Sequence, residues 1–196
     1  MIVLAIGFLS AVGCSTAPQP RSEPPVKGTH ARKKLSKDAV TLRVPAVYQT
    51  EKFECGLTSL TMLFAYYGHE VDQKETVWFR KKAKEEQGIA AEDLKKYLTS
   101  QGFDAYIFKG TTSHSPPTGI YGHIDKGRPV VVVIPSSRTS RHYVLVIGYD
   151  KKKKLIALQD PVRGAVLASE RQFHILWKSC GNFALLAVPK GDEKNE

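Results

Sequence analysis

Cysteine is scarce in this chain. Only Cys14, Cys55 and Cys180 occur in 196 residues. The odd count and irregular spacing argue against a disulfide framework and against a Cys-rich zinc site. No segment repeats. No motif for a metal or a phosphate stands out, so no cofactor is expected. The basic blocks carry no interleaved aromatics and match no nucleic-acid motif, which argues against a nucleic-acid partner. Residues 2–13 are apolar and uncharged, but this run is too short to span a bilayer as a helix.

What remains is an ordinary globular composition, 42% hydrophobic and 24% charged. The length suits one domain with tails, large enough to bury a core without disulfides or metals. The net charge is +10. Part of it sits in Arg32, Lys33, Lys34 and Lys37, and part in Lys151–Lys154. The plain reading is a solvated tail and a solvated turn. The functional alternative is attraction to anionic lipid headgroups, at about 1 kcal/mol per cation near a membrane surface.

The N-terminal apolar run has the length of a signal-peptide core. It ends in Ala11-Val12-Gly13-Cys14, which resembles the lipidation motif of bacterial lipoproteins. That resemblance implies acylation of Cys14 and anchoring in a lipid bilayer, since each buried methylene adds about 0.8 kcal/mol. Ser15, rather than Asp, follows the cysteine, which implies the periplasmic face of the outer membrane of a bacterial cell envelope. The alternative is an ordinary secretory signal or an uncleaved anchor.

The expected organisation is a signal segment over 1–14, a disordered tether over 15–40, a globular domain over 41–190 and a charged tail over 191–196. The tether is rich in Pro, Ser, Lys and Arg and would reach roughly 25–30 Å. Helical spacing predicts helices over Cys55–Tyr67, Asp72–Glu85, Ala91–Gly102, Ile120–Lys126 and Glu170–Trp177. Strands are expected over Thr41–Pro45, Phe103–Phe108, Pro129–Ile134, His142–Tyr149, Leu155–Gln159, around Val166, and over Phe183–Val188. Helices first and strands later argue an α+β fold, a helical lobe packed on a mostly antiparallel sheet. Trp78, Phe79 and Trp177 are expected in the core, and Cys180 as a buried small hydrophobe.

Cys55 opens an apolar helix six positions after Gln49. The helix terminus alone stabilises a thiolate by about 0.3–1 kcal/mol, less than one pKa unit. A paired imidazolium can shift a thiol by several units, so a histidine is the decisive partner. Of six histidines, His142 stands at the mouth of a buried strand, a rigid place for a base. Asp160 ends the next strand. In an antiparallel pair the two become neighbours, and Asp160 can accept from His142 Nδ1–H. Gln49 could donate to an oxyanion beside the backbone N–H of Cys55. Taken singly, these residues also read as a structural histidine, a turn aspartate and a loop amide.

With those residues in place, the chain resembles the bacteriocin-processing, papain-like cysteine peptidases that cut double-glycine leaders. The shared stretches are Gln49 with Cys55-Gly56, Leu60-Thr-Met, Ala65-Tyr-Tyr-Gly68, Gly88 with Leu94, Gly102-Phe103-Asp-Ala, His142-Tyr-Val-Leu-Val, Asp160-Pro-Val-Arg-Gly164, Phe173 and Trp177. The resemblance implies a papain-like fold, with Cys55 as nucleophile, His142 as general base and acid, Asp160 as orienter and Gln49 as oxyanion donor. The implied function is a cell-envelope cysteine peptidase working through a Cys55 acyl-enzyme, with cleavage after Gly-Gly as one option. The partner would be a peptide or protein of the envelope, and any link to export is expected to run through separate machinery. Two other classes stay open: a non-catalytic peptide-binding module, and a thiol acyltransferase.

Overall fold

The computed structural model describes residues 34–71, 73–136 and 140–191. The expectations for Cys14, for segment 1–14, for most of the 15–40 tether and for nearly all of the 191–196 tail fall outside them.

Elements follow in the order β1 (Val40–Thr41), α1 (Cys55–Tyr66), α2 (Gln73–Glu85), α3 (Ala91–Ser100), β2 (Phe103–Lys109), α4 (Ile120–Asp125), β3 (Val130–Pro135), β4 (Arg141–Asp150), β5 (Leu155–Asp160), β6 (Gly164–Ser169), α5 (Glu170–Ser179) and β7 (Phe183–Pro189). The strands form one seven-stranded sheet in the order β2-β7-β3-β4-β5-β6, with β1 laid against β4. Every strand pair is antiparallel. The fold is α+β, as the element pattern predicts.

Alternation along each strand sends side chains to two faces. Val131, Leu145 and Leu185 pack with Leu60, Leu63, Phe64, Leu94 and Leu98 from α1 and α3. Val130, Val132, Val144, Val146 and Leu186 pack with Ile120, Ile124, Phe173 and Trp177 from α4 and α5. The helices are therefore split over both faces instead of gathered into one lobe. Helical periodicity reveals that a helix has an apolar side, but not which face of a sheet that side will cover.

Boundaries move in ways that matter for the site. β1 is two residues long, so most of the expected Thr41–Pro45 strand is irregular. β4 starts one residue early at Arg141, and β5 reaches Asp160 itself. A bulge shifts the β4–β5 register between Val146 and Gly148. A Cβ at Gly148 would stand 2.5 Å from the carbonyl oxygen of Val40, so only glycine lets β1 approach there.

Trp177 is fully buried, and its Nε1–H donates to the carbonyl of Phe183 at 2.7 Å. Phe79 is buried too, but Trp78 is 55% exposed, contrary to the core placement expected for it. Adjacent helical residues are about 100° apart, so the two cannot share one face. Cys180 is half-buried at the C-cap of α5, less enclosed than a core position. No helix among the described residues is long and apolar enough to cross a membrane.

Candidate active site

Cys55 is the first residue of α1, with Glu54 as N-cap. Phe53 has φ 76°, a left-handed conformation that turns the chain sharply into the helix. Glu54 is only 4% exposed. Its Oε2 accepts from Thr50 N at 3.3 Å, Thr50 Oγ1 at 3.1 Å and Glu51 N at 3.2 Å. Its Oε1 pairs with Arg80 Nε of α2 at 3.2 Å. One buried carboxylate thus ties the loop before the thiol to the neighbouring helix. Gly56 lets this helix start settle: a Cβ there would sit 3.3 Å from both Leu94 Cδ1 and Tyr143 Cδ2.

His142 lies near the start of β4, opposite Ile134 of β3. Across β5 the register pairs Leu145 with Gln159 and Val146 with Leu158. Continued by one residue, it sets Asp160 beside Val144, diagonal to His142 on the same face. The side chains meet: His142 Nε2 lies 2.9 Å from Asp160 Oδ1. This corrects the expected ring orientation, since Nε2 rather than Nδ1 faces the aspartate and Nδ1 is left for the thiol. Ring orientation depends on how the strand end is packed, which spacing does not encode.

Asp160 is 1% exposed at its side chain. Its Oδ1 also accepts from Val162 N at 2.8 Å, and its Oδ2 accepts from Arg163 Nε at 2.7 Å. Burial disfavours the carboxylate's charge, but the bonds from His142, Val162 N–H and Arg163 outweigh it and hold the carboxyl well below its usual range. Burial likewise disfavours charge on His142. Hydrogen bonds to Asp160 and then to Cys55, with the charges of both, reverse this and raise the ring to about 9. At neutral pH the ring is therefore an imidazolium facing the sulfur of Cys55. Tyr143, next along β4, is pushed up to about 12 by burial and by the charge of Cys55. Its hydroxyl donates to the Ile89 carbonyl at 3.2 Å.

Gln49 joins the same site through its backbone, which donates to Pro161 O at 2.9 Å. Its Nε2 donates to Glu51 O at 3.1 Å, which leaves one amide hydrogen free. A cavity of about 380 Å³ holds Gln49, Cys55, His142 and Asp160 together, along with Lys52, Phe53, Arg141 and Arg163. The four anticipated residues line this one cleft, although His142 and Asp160 follow Cys55 by 87 and 105 positions in the sequence. Glu54, Tyr143 and Arg163 were not anticipated. Arg163 lies in the shared stretch Asp160-Pro-Val-Arg-Gly164, three residues after Asp160, but nothing in that pattern marks it as a partner of the carboxylate. Among the described residues, no group of His, Cys, Asp and Glu is arranged to hold a metal ion.

Residues 41–185 match the model of the Peptidase C39-like family. The chain belongs to that family. The C39-like region is 26% identical over 148 residues to the lactococcin-G-processing and transport ATP-binding protein LagD of Lactococcus lactis subsp. lactis. That match covers 76% of this chain and 19% of LagD, so the chain spans about a fifth of that curated relative. Among solved structures, the peptidase domain of Streptococcus ComA, a bi-functional ABC transporter, superposes with a TM-score of 0.60 at 19% identity, covering 75% of this chain and 99% of that one. A putative C39-like peptidase from Bacillus anthracis superposes with a TM-score of 0.56 at 20% identity, covering 78% and 98%. A double glycine motif protease from an AMS/PCAT transporter, solved with its leader peptide, gives a TM-score of 0.54 at 19% identity, covering 76% and 94%. These superpositions establish a shared papain-like peptidase fold.

Proposed function

We propose that this C39-like protein is a cysteine peptidase that hydrolyses peptide bonds through an acyl-enzyme on Cys55. The observation that carries the proposal is the buried Asp160–His142 contact at 2.9 Å, with Cys55 acting on the same ring from the head of α1. An imidazolium is the partner that a reactive thiolate needs.

In this reading the thiolate of Cys55 attacks the scissile carbonyl carbon. The oxyanion that forms is met by the backbone N–H of Cys55 and the free amide hydrogen of Gln49. His142 Nδ1–H then protonates the departing amine, so the C–N bond breaks and the acyl group stays on sulfur. Water attacks the thioester with His142 as base, and the acid product leaves. Asp160 keeps the ring oriented throughout, and Arg163 holds the second carboxylate oxygen.

The substrate is a peptide. A Gly-Gly cleavage site is the finer proposal, supported by the family and by the double glycine motif protease that shares the fold. Residues 2–13 and Cys14 support a lipid-anchored location in the envelope, with a peptide of that compartment as substrate.

A thiol alkylator applied to the full chain tests the chemistry. Cys55 should label at least about tenfold faster than Cys180, as expected of a thiol activated by an ion pair. Cys55→Ala should also abolish cleavage of a peptide library. Equal labelling of the two cysteines, or cleavage that survives the substitution, would overturn the proposal.

A further inference from the structure

The cleft carries more positive charge than peptide hydrolysis requires. Among the described residues its lining holds Lys52, Arg141 and Arg163 in addition to the His142 ring, against one carboxylate, Asp160. That carboxylate is already bonded to His142, Val162 N–H and Arg163. Arg163 spends only Nε on it, and its side chain stays 59% exposed, so both terminal nitrogens remain available to the cleft. Arg141 is exposed beside the base, and Lys52 is exposed in the loop before the nucleophile. Lys52 Nζ rests over the Phe53 ring, 5.0 Å from its centre, which leaves its N–H groups free. Neither Lys52 nor Arg141 pairs with a carboxylate among the described residues.

The helical side of the molecule behaves differently. There Arg80 pairs with Glu54, Lys81 with Glu85, and Lys82 with Glu86 and Asp93. Arg80, Lys81 and Lys82 of α2 are thus matched by carboxylates, whereas Lys52 and Arg141 beside the thiol pair with none among the described residues. The reaction itself needs one imidazolium. The surplus charge is suited to a ligand that brings its own carboxylate.

The geometry points to a carboxylate-recognition subsite formed by Lys52, Arg141 and the free end of Arg163, which selects peptides acidic within about three residues of the bond at Cys55. This inference rests on the peptidase reading for the position of that bond. A carboxylate bound by a guanidinium gains charge-assisted hydrogen bonds, and two cations on one ligand hold it from two sides. The carboxylate can belong to an Asp or Glu side chain, or to a peptide's C-terminus.

The test measures binding first and cleavage second. Full-length Cys55→Ala protein is titrated against fluorescein-labelled peptide pools that differ only in Glu or Gln flanking a central Gly-Gly, each with a free or an amidated C-terminus. The Glu pools should bind about tenfold tighter at low salt, and the gap should narrow as salt is raised. If the gap instead follows the free terminus, the carboxylate is a chain end. Adding Lys52→Gln and Arg141→Gln should shrink the gap to under about twofold, and Lys52→Glu with Arg141→Glu should reverse it in favour of a Lys pool. Melting temperature confirms that the variants fold. Lys151→Gln with Lys152→Gln removes the same charge from the β4–β5 turn and should leave the gap unchanged. Three results overturn the inference: equal affinity for Glu and Gln pools regardless of terminus, no binding of any pool, or an equal loss in the Lys151 and Lys152 control. If protein bearing Cys55 cleaves nothing while the Glu preference persists in Cys55→Ala, the peptidase reading fails and the subsite stands.

Discussion

Among the described residues two His–Asp pairs have nearly the same length, His142–Asp160 at 2.9 Å and His114–Asp125 at 2.7 Å. Their surroundings differ. The first pair is 12% and 1% exposed at its side chains, and the second is 40% and 38% exposed. His142 reaches Asp160 through Nε2 and has Cys55 as a second partner, whereas His114 uses Nδ1 and packs against the rings of Tyr121 and Tyr149. Asp125 also accepts from Tyr149 OH. On the peptidase reading, a short His–Asp contact is therefore not by itself enough to make a catalytic pair. Burial makes the contact strong, and a thiol on the ring gives it chemistry to do.

The sharpest way to break this comparison is to remove each histidine in turn. His142→Ala should lower the turnover of a cleaved peptide by about 10⁴-fold or more. His114→Ala should leave it within about twofold and cost under about 1 kcal/mol of stability in urea unfolding, as expected for a half-exposed pair. A large loss of activity from His114→Ala in folded protein would mean that burial is the wrong discriminator.

Substitution of the two aspartates should give a smaller separation. Asp160→Asn should lower turnover about 10²- to 10⁴-fold, because the amide no longer stabilises the imidazolium. It also strips His142 and Arg163 of a buried counter-charge, at about 3 kcal/mol in unfolding experiments. Asp125→Asn should alter neither quantity by more than about one-third of that.

The smallest expected difference lies in pH dependence. The His142 pKa is raised from 6.5 to about 9 on folding. Its contribution to stability is thus complete below pH 6.5 and lost as pH rises through about 9, amounting to about 3 kcal/mol across that window. Melting temperature should fall between pH 7 and 9.5, and Asp160→Asn should flatten that fall. Activity should decline over the same range, as the leaving amine loses its proton donor. Asp160 acts in the opposite sense. Its pKa is depressed on folding, so its contribution is present above the ordinary carboxylate range and is lost only in strong acid. Wild-type protein with an unchanged melting temperature from pH 7 to 9.5 would contradict the protonated ring.

Much of the site was legible because its members stand at element boundaries. Cys55 opens a helix, His142 sits at a strand entry and Asp160 at a strand exit, and such positions are marked by changes of hydrophobic period. Gln49 was legible from its place before the thiol. The rest depends on three-dimensional partners. Glu54 looks like one more polar residue in a loop, yet it is buried and gathers three donors and Arg80. Arg163 looks like a turn residue, yet it bonds the orienting carboxylate. The nitrogen that His142 turns toward Asp160, the placement of α4 and α5 on the far face, and the exposure of Trp78 all follow from packing that a one-dimensional pattern does not contain.

The short strand β1 has a mechanical consequence. It joins β4 only at Val40–Tyr149 and Thr41–Gly148, with one further bond from Leu42 N to Ile147 O at 2.7 Å. His142 lies six residues along β4 from Gly148, about 20 Å away at strand spacing, and β4 is bonded on its other sides to β3 and β5. A tensile load applied through the N-terminal side of the chain meets the bonds of Lys34 O with Lys153 Nζ and of Ser36 N with Asp150 Oδ2, and then the few β1 bonds. All of these bonds lie at the end of β4 remote from His142, so a pull on the N-terminal side loads the part of the strand farthest from the candidate site.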